Sequence, residues 1–349
     1  MNCLTAERRC PYLEAGGPDR LVTGQSGQSA SGSTPSDASD DRVPPLLQLT
    51  LETSCQSLPY IELLHQWLSH TCHTCLAPRH RAGLFAATMM NTALRYPFLM
   101  HSVLALAALH RSFTHASSRE FYLSKSRELQ EEGLLGFNRL TFPLDDTLAL
   151  PAFLFSYIAG IRHLCLHMAY PKTDLVGFIS SMIECIDMLR GVPTVLGGRM
   201  DMLKHSEFSP VVDTLEGSDS ATPSPQQQQV DRLGQMIQSS EMSGRSNRVL
   251  TDAIKTLRQL YRNASDIDDE SLGLAVVWMM TTPAEFTQLL TERQPQAMVV
   301  LAYVAPLLHY RRNCWAIGNV AARLMWAIED KIPPQWQQWL AWPKAVVSG

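Results

Sequence analysis

Helical periodicity is the feature that most limits how this chain can fold. Between residues 60 and 328, apolar side chains recur three and four positions apart, the spacing that places them on one face of an α-helix. In the segment Tyr60–Ala77 they occupy positions 60, 61, 63, 64, 67 and 68. No stretch of strand length alternates cleanly between turn signals. The sequence therefore predicts an all-α protein of about a dozen helices.

Proline and polar residues suggest where several helices begin. Pro97 occupies a favourable first position, and the very apolar helix that follows it is expected to be buried. Its apolar run, Phe98–Leu109, is too short and too interrupted to cross a membrane, which takes about 20 apolar residues. The predicted helices are Tyr60–Ala77, Ala82–Arg95, Phe98–Phe113, Ser117–Leu140, Asp145–His167, Asp174–Arg190, Val230–Gln238, Ser246–Arg262, Leu272–Met280, Pro283–Glu292, Gln296–Tyr310 and Trp315–Ile328.

Two segments lack this periodicity. Residues 15–45 are rich in Gly, Ser, Asp and Pro, and residues 216–229 read EGSDSATPSPQQQQ. Such compositions bury too little apolar surface to offset the entropy lost on ordering. We expect a disordered linker at 15–45 and a disordered insertion at 216–229 within one helical domain that spans 46–349.

Net charge and cysteine content bear on nucleic-acid binding and on the cellular compartment. The net charge is -4 and the isoelectric point is about 6.3, so the chain offers no basic footprint for a phosphate backbone. Its eight cysteines are scattered through 349 residues, which is typical of reduced thiols in an intracellular protein. The first residues, MNCLTAERRCPYLEAGG, lack the apolar core of a signal peptide.

The densest group of metal-ligand residues is His70, Cys72, His73 and Cys75. Zinc favours such ligands. On one helix, however, the two cysteines share a face that is roughly opposite to the face of the two histidines, so one ion cannot reach all four. We expect a packed helix here and no metal site.

A second group, Arg162-His163-Leu-Cys165-Leu-His167, lies on an otherwise apolar helix. Buried histidines are usually hydrogen-bonded parts of a core. Catalysis by Cys165 or Cys185 would need a basic partner that the sequence does not identify. Convergence of His163, His167 and Cys165 on an open cavity would favour an enzyme, whereas a dry apolar cavity would favour ligand sensing.

Enzyme motifs are missing from the sequence. It contains no G-x-S-x-G, H-E-x-x-H or G-x-x-x-x-G-K motif, and no G-x-G-x-x-G after a strand. The adjacent acids Glu131-Glu132 and Asp145-Asp146 point to different helix faces, as in solvated faces or caps. We therefore expect no enzyme, and no catalytic, cofactor or metal site.

Methionines near aromatic residues allow two interpretations. Met89, Met90 and Met100 lie close in sequence to Phe85, Phe98 and Phe113. Methionine often fills an ordinary core, and it also lines adaptable cavities for apolar ligands. The helical spacing of these methionines favours an ordinary core over a ligand cavity.

Several segments resemble one family in order and spacing. They are IELLHQWLSHTC at Ile61–Cys72, MMNTALRYPFLMHSVLALAALHRS at Met89–Ser112, FYLSKSRELQEEGLLGFNR at Phe121–Arg139, the turn Leu189-Arg-Gly-Val192 with Val195-Leu196, and Pro295–Pro343 with its closing Trp336, Trp339 and Trp342. Together they cover most of 58–343. They resemble the regulatory domain of fungal six-cysteine zinc-cluster transcription factors of the sterol uptake control type.

The first residues resemble the end of that family's zinc cluster. Cys3 and Cys10, within residues 1–14, would be the fifth and sixth thiolates of a cluster whose first four are absent. Two thiolates cannot hold two zinc ions, because each structural zinc needs about four ligands. We therefore expect this chain to lack the cluster and to bind no DNA sequence-specifically.

The resemblance implies a nuclear transcription regulator that controls a metabolic or biosynthetic gene set, such as the genes of secondary metabolism. Its expected partners are an apolar small molecule such as a sterol, and a second regulator in a homo- or heterodimer. The alternative is an enzyme or accessory protein of a biosynthetic pathway built on the same helical domain. No basic import cluster supports the nuclear location independently.

Overall fold

The computed structural model describes residues 58–75, 82–170, 175–199, 201, 223–240, 242–263 and 273–349. Throughout these ranges the regular structure is helical, without strands, which confirms the all-α prediction. The chain divides into two units, Met1–Ile61 and Glu62–Gly349, and the described part of the first, residues 58–61, is helical. The expected remnant at 1–14, the linker at 15–45 and residues 216–222 of the insertion lie outside the described residues.

The second unit contains helices in every predicted region. They are α1 (62–75, including a π-helical turn at Trp67–Thr71), α2 (Ala82–Ala93), α3 (Pro97–Thr114), α4 (Arg119–Phe137), α5 (Asp146–Ala169), α6 (Leu175–Gly191), α7 (Pro225–Ser239), α8 (Gly244–Asn263), α9 (Gly273–Thr281), α10 (Ala284–Thr291), α11 (Pro295–Ala302), α12 (Ala305–His309), α13 (Val320–Glu329) and α14 (Ala341–Ser348). Short 3-10 helices lie at Ala116–Ser118, Val192–Leu196 and Pro334–Leu340.

Helix α7 corrects one sequence-based boundary. Residues 225–229 belong to the expected insertion 216–229, yet they form the first turn and a half of helix α7. Ser224 explains the difference, because its hydroxyl accepts from the Gln227 backbone N–H (3.1 Å) while the Gln227 side chain accepts from the Ser224 N–H (3.0 Å). With Pro225 in the first turn this is a capping box, which fixes the start of the helix.

Replacing Ser224 with alanine should therefore destabilise the unit. Loss of the cap leaves an N–H of the first turn without its acceptor, so we expect the free energy of unfolding to fall by about 1 kcal/mol. Urea denaturation followed by circular dichroism measures the change. Gln228→Ala on the exposed side of the same turn is the matched control, and an equal effect there would exclude the cap as the cause.

Helices α3, α4 and α5 form the N-terminal part of the core. Helix α3 packs along α4 and across α5, and nearly all of its central residues are buried. Close approach depends on Gly133, where a Cβ would lie 3.0 Å from the Phe98 carbonyl oxygen and 3.1 Å from the Phe155 ring. Aromatic side chains of the three helices meet at this crossing.

Helix α5 is long and apolar enough to cross a membrane by length and composition alone. In the structure 78% of its most apolar window is buried inside the protein, which is also the property of a central core helix. The other described helices do not meet that criterion.

Helix α6 connects the two parts of the core. It packs on α5, and also on α9, α10 and α13 of the C-terminal part. At its end, Leu189 of the LRGV turn lies against Gly160 of α5, where a Cβ would come within 2.7 Å of the leucine side chain. Helix α6 therefore presents side chains both to the N-terminal helices and to the C-terminal ones.

Candidate effector cavity and histidine clusters

A cavity of about 300 Å³ opens where α6 meets the C-terminal helices. Its apolar side chains come from three helices. They are Ile179, Ile183, Leu290 and Met298. Polar groups complete the lining, namely Ser180, Glu184, Thr291, Arg293 and Lys331. An apolar floor with a few polar groups is the usual composition of a small-molecule site.

Arg293 reaches this cavity from a strained backbone position. Helix α10 ends in a Schellman motif, in which Arg293 N–H donates to Leu290 O (3.0 Å) and Gln294 N–H donates to Leu289 O (2.9 Å). Arg293 occupies the left-handed position of that motif, with φ of 54°, where glycine is usual. A side chain there costs about 1 kcal/mol, so arginine occupies this position against a local preference for glycine.

The charges around the cavity are unevenly paired. Lys331 Nζ lies 2.6 Å from the Asp330 carboxylate, which neutralises it. Within the described part of the chain, neither Arg293 nor Glu184 forms an ion pair. Arg293 is therefore available to an anionic or hydrogen-bond-accepting group of a ligand.

The group at residues 70–75 faces two environments. Cys72 is buried and its thiol donates to Leu68 O, whereas His70 and His73 are exposed. Burial raises the pKa of Cys72 to about 11, although two backbone hydrogen bonds oppose the shift. The side chain of Cys75 lies outside the described residues. Cys72 Sγ and His73 Nε2 both approach the Leu68 carbonyl oxygen, at 3.7 and 3.0 Å, but the three described side chains do not form a group of metal ligands.

His163 and His167 form a cluster on α5, with ring centroids 4.1 Å apart. The thiol that joins them is Cys185 of α6, not Cys165, and one ligand atom from each of the three residues lies within 4.8 Å of the others. Cys165 is buried elsewhere on α5. The convergence with Cys165 that would have favoured an enzyme is therefore not the one found, because the contact between α5 and α6 brings Cys185 to the histidines instead.

The cluster is poorly suited to nucleophilic catalysis. Burial, with a smaller contribution from Glu184, raises the pKa of Cys185 far above its usual range, so the thiol stays protonated. Burial lowers the pKa of His163 to about 3, and repulsion from His167 and Arg162 acts in the same direction. Neither the cavity beside α6 nor a smaller cavity beside Arg245 is lined by His163, His167 or Cys185.

The adjacent acids have structural roles. Asp145 caps α5 by accepting from Thr147 and Leu148 backbone N–H groups, both at 2.9 Å. Asp146 forms an ion pair with Arg199 at 2.8 Å. Glu132 lies 3.3 Å from His101, and Glu131 is exposed. These contacts match the expectation of caps and solvated faces.

The methionine group belongs to the core rather than to the cavity. Met89, Phe85 and Phe98 are buried, Met90 and Met100 are half-buried, and Phe113 is partly exposed. None of them lines the cavity, whose one methionine is Met298. The cavity was not predicted from the sequence, because residues from four separate elements line it. The one local signal for it was Arg293, an arginine just behind the end of helix α10.

His110 marks a third buried polar site, between α1 and α3. Its Nδ1 accepts from Gln66 Nε2 (3.3 Å) and contacts the Thr71 hydroxyl (3.0 Å), while its ring stacks on Trp315 at 4.5 Å. Burial lowers its pKa to about 4, with repulsion from His70 and His115 adding to the shift. The imidazole is therefore neutral at pH 7.

Comparison with known families gives one match. Residues 62–190 match the family described as "Fungal specific transcription factor domain". No curated protein and no solved structure matches the chain significantly. The matched residues include α1–α6, and therefore one wall of the cavity and the cluster on α5 and α6. The match covers less than half of the chain, and it supports a fungal transcription factor domain, and so a transcription regulator, over these residues.

Proposed function

We propose that the chain is the effector part of a fungal transcription regulator of the sterol uptake control type, and that it acts in the nucleus on a metabolic or biosynthetic gene set. The match over residues 62–190 supports this proposal most directly. The resemblance at Pro295–Pro343 extends it over the C-terminal helices α11–α14.

The cavity beside α6 is proposed as the effector site. Its volume of about 300 Å³ is at the lower end of the range for ligand pockets, about 300–1,000 Å³. Ile179, Ile183 and Leu290 would bury an apolar body, and Arg293 would bind a polar or anionic head group. The family resemblance adds a sterol as a candidate, and the cavity chemistry adds a fatty acid.

A matched pair of ligands tests the effector site. Decanoate and decanol share an apolar chain and differ in the charge of the head group, so we expect decanoate to bind more tightly through Arg293. At about ten times the dissociation constant, binding should stabilise the fold by about 1.4 kcal/mol. Thermal denaturation of the full chain with decanoate, decanol and ergosterol measures the change in Tm.

The variant Arg293→Gly separates ligand binding from folding. Glycine relieves the left-handed strain, so the free variant should be more stable by about 1 kcal/mol, yet its Tm should no longer distinguish decanoate from decanol. Arg248→Ala, an exposed arginine of α8 that does not line the cavity, should leave both properties unchanged. If none of the three ligands changes Tm, the cavity is not the effector site and a protein partner becomes the better proposal.

Dimerisation completes the proposal. We propose that the chain acts through a homo- or heterodimer with another regulator, as the family resemblance implies. An enzyme on the same domain is the second candidate. It is less favoured because Cys185, the thiol nearest to His163 and His167, is buried with a raised pKa.

A further inference from the structure

The cluster of His163, His167 and Cys185 has the composition of a metal site. The two histidines are four residues apart on α5, so their rings lie on one face of the helix. Cys185 reaches them from α6, and the three ligand atoms lie within 4.8 Å of one another. Ligand atoms around a tetrahedral zinc lie about 3.4–3.6 Å apart, from bond lengths of about 2.0–2.3 Å. Small side-chain rotations would close the difference.

The histidine nitrogens are arranged as in ligating imidazoles. His167 Nδ1 lies 2.9 Å from the His163 carbonyl oxygen and donates to it, which leaves the lone pair on His167 Nε2. In metal-binding histidines, the ring nitrogen that does not bind the metal usually donates a hydrogen bond to a carbonyl or a carboxylate. His163 Nε2 is buried and has no hydrogen-bond partner. A buried polar atom without a partner is costly, so it calls for an explanation.

We propose that His163 Nε2, His167 Nε2 and Cys185 Sγ bind one zinc-type cation that ties α5 to α6. Binding releases the thiol proton to solvent and forms a metal–thiolate bond, so the bound ion and its ligands carry a net charge of one. Three protein donors leave one position of a tetrahedral ion to water or to a small ligand. One thiolate and two imidazoles suit zinc, cobalt(II) and copper better than magnesium or calcium.

This site is distinct from the zinc cluster of the family's DNA-binding half. It uses none of the cysteines in residues 1–14, and it lies inside the helical unit. The inference does not depend on the effector cavity, although α6 contributes to both. The proposed site also departs from the expectation of no metal site. That expectation considered only groups of residues on a single helix, whereas this site joins α5 and α6.

Cobalt(II) titration of the metal-free full chain tests the proposal. We expect one equivalent to bind, with a thiolate-to-cobalt charge-transfer band and visible bands typical of tetrahedral coordination. Cys185→Ala should abolish the charge-transfer band, and His167→Gln should weaken binding at least tenfold. Cys165→Ala, a buried cysteine two residues from each histidine, and Cys72→Ala, within the other His/Cys group, should bind as the parent does. Circular dichroism establishes that each variant is folded.

Elemental analysis of the purified chain gives an independent result. One zinc per chain that Cys185→Ala loses, and a Tm that falls by several degrees when a chelator removes the metal, are expected. A charge-transfer band that persists in folded Cys185→Ala, or the absence of any binding by the folded parent chain, would overturn the proposal. So would metal that is lost only with Cys72→Ala, because the ion would then belong to residues 70–75.

Discussion

Replacing Phe155 with alanine is expected to destabilise the helical unit by about 4 kcal/mol, because the change opens a cavity where three helices cross. Phe155 of α5 is 2% exposed, and its ring stacks on Phe137 of α4 with centroids 4.6 Å apart. It also meets the edge of Phe98 of α3 at 5.6 Å. The close approach at Gly133 leaves little room for the backbone to move into the space that alanine would vacate.

Urea denaturation gives the free energy of unfolding, and Phe121→Ala is its matched control. Phe121 lies on α4, 56% exposed, and contacts Tyr122 edge-on at 5.1 Å. Its replacement should change stability by less than about 0.5 kcal/mol. A loss below about 2 kcal/mol for Phe155→Ala would show that the crossing relaxes around the smaller side chain.

Helix positions were predictable where local chemistry marks them. Pro97 and Asp145 gave the starts of α3 and α5, since a proline in the first turn and an acidic cap act locally. The predicted helix Gln296–Tyr310 is instead two helices, because Pro306 in the first turn of α12 lacks the N–H that a continuous helix needs. Trp315–Ile328 begins only at Val320, after Gly318 with φ of 47°. Pro306 and Gly318 are visible in the sequence, but the apolar periodicity across them favoured one continuous helix in each case.

The last helices were not predicted at all. The 3-10 helix Pro334–Leu340 and α14 carry the three closing tryptophans, which resemble the family ending. Trp342 packs against Tyr261 of α8 and Tyr303, with centroids 5.5 and 5.2 Å away. Those contacts join residues far apart in sequence, so periodicity within a short window does not report them.

The candidate sites were less predictable than the helices for the same reason. His163 and His167 share a helix face, which their spacing implies. Their thiol partner, however, depends on how α6 packs against α5, and the sequence does not show that Cys185 is that partner. Arg293 likewise becomes part of a site only when α6, α10, α11 and Lys331 enclose the same space.

Acid should destabilise the helical unit through His110. The pKa of this histidine is about 4 in the folded chain, and an unfolded histidine has a pKa of about 6.5. Between these values the unfolded state binds more protons, so the free energy of unfolding falls as the pH falls. The contribution is fully present above pH 6.5, and about 3 kcal/mol of it is lost by pH 4.

A comparison with His110→Gln isolates this contribution from the carboxylates that titrate in the same range. Glutamine does not protonate, and its side-chain oxygen can still accept from Gln66 and Thr71, although it forfeits the stacking on Trp315. Between pH 7 and 8, the free energies of unfolding of the parent and the variant should differ by a constant amount. Between pH 6.5 and 4, the parent should lose about 3 kcal/mol more than the variant does. A difference that stays constant down to pH 4 would mean that the buried imidazole is protonated in the folded chain, with Gln66 and Thr71 turned to accept from it.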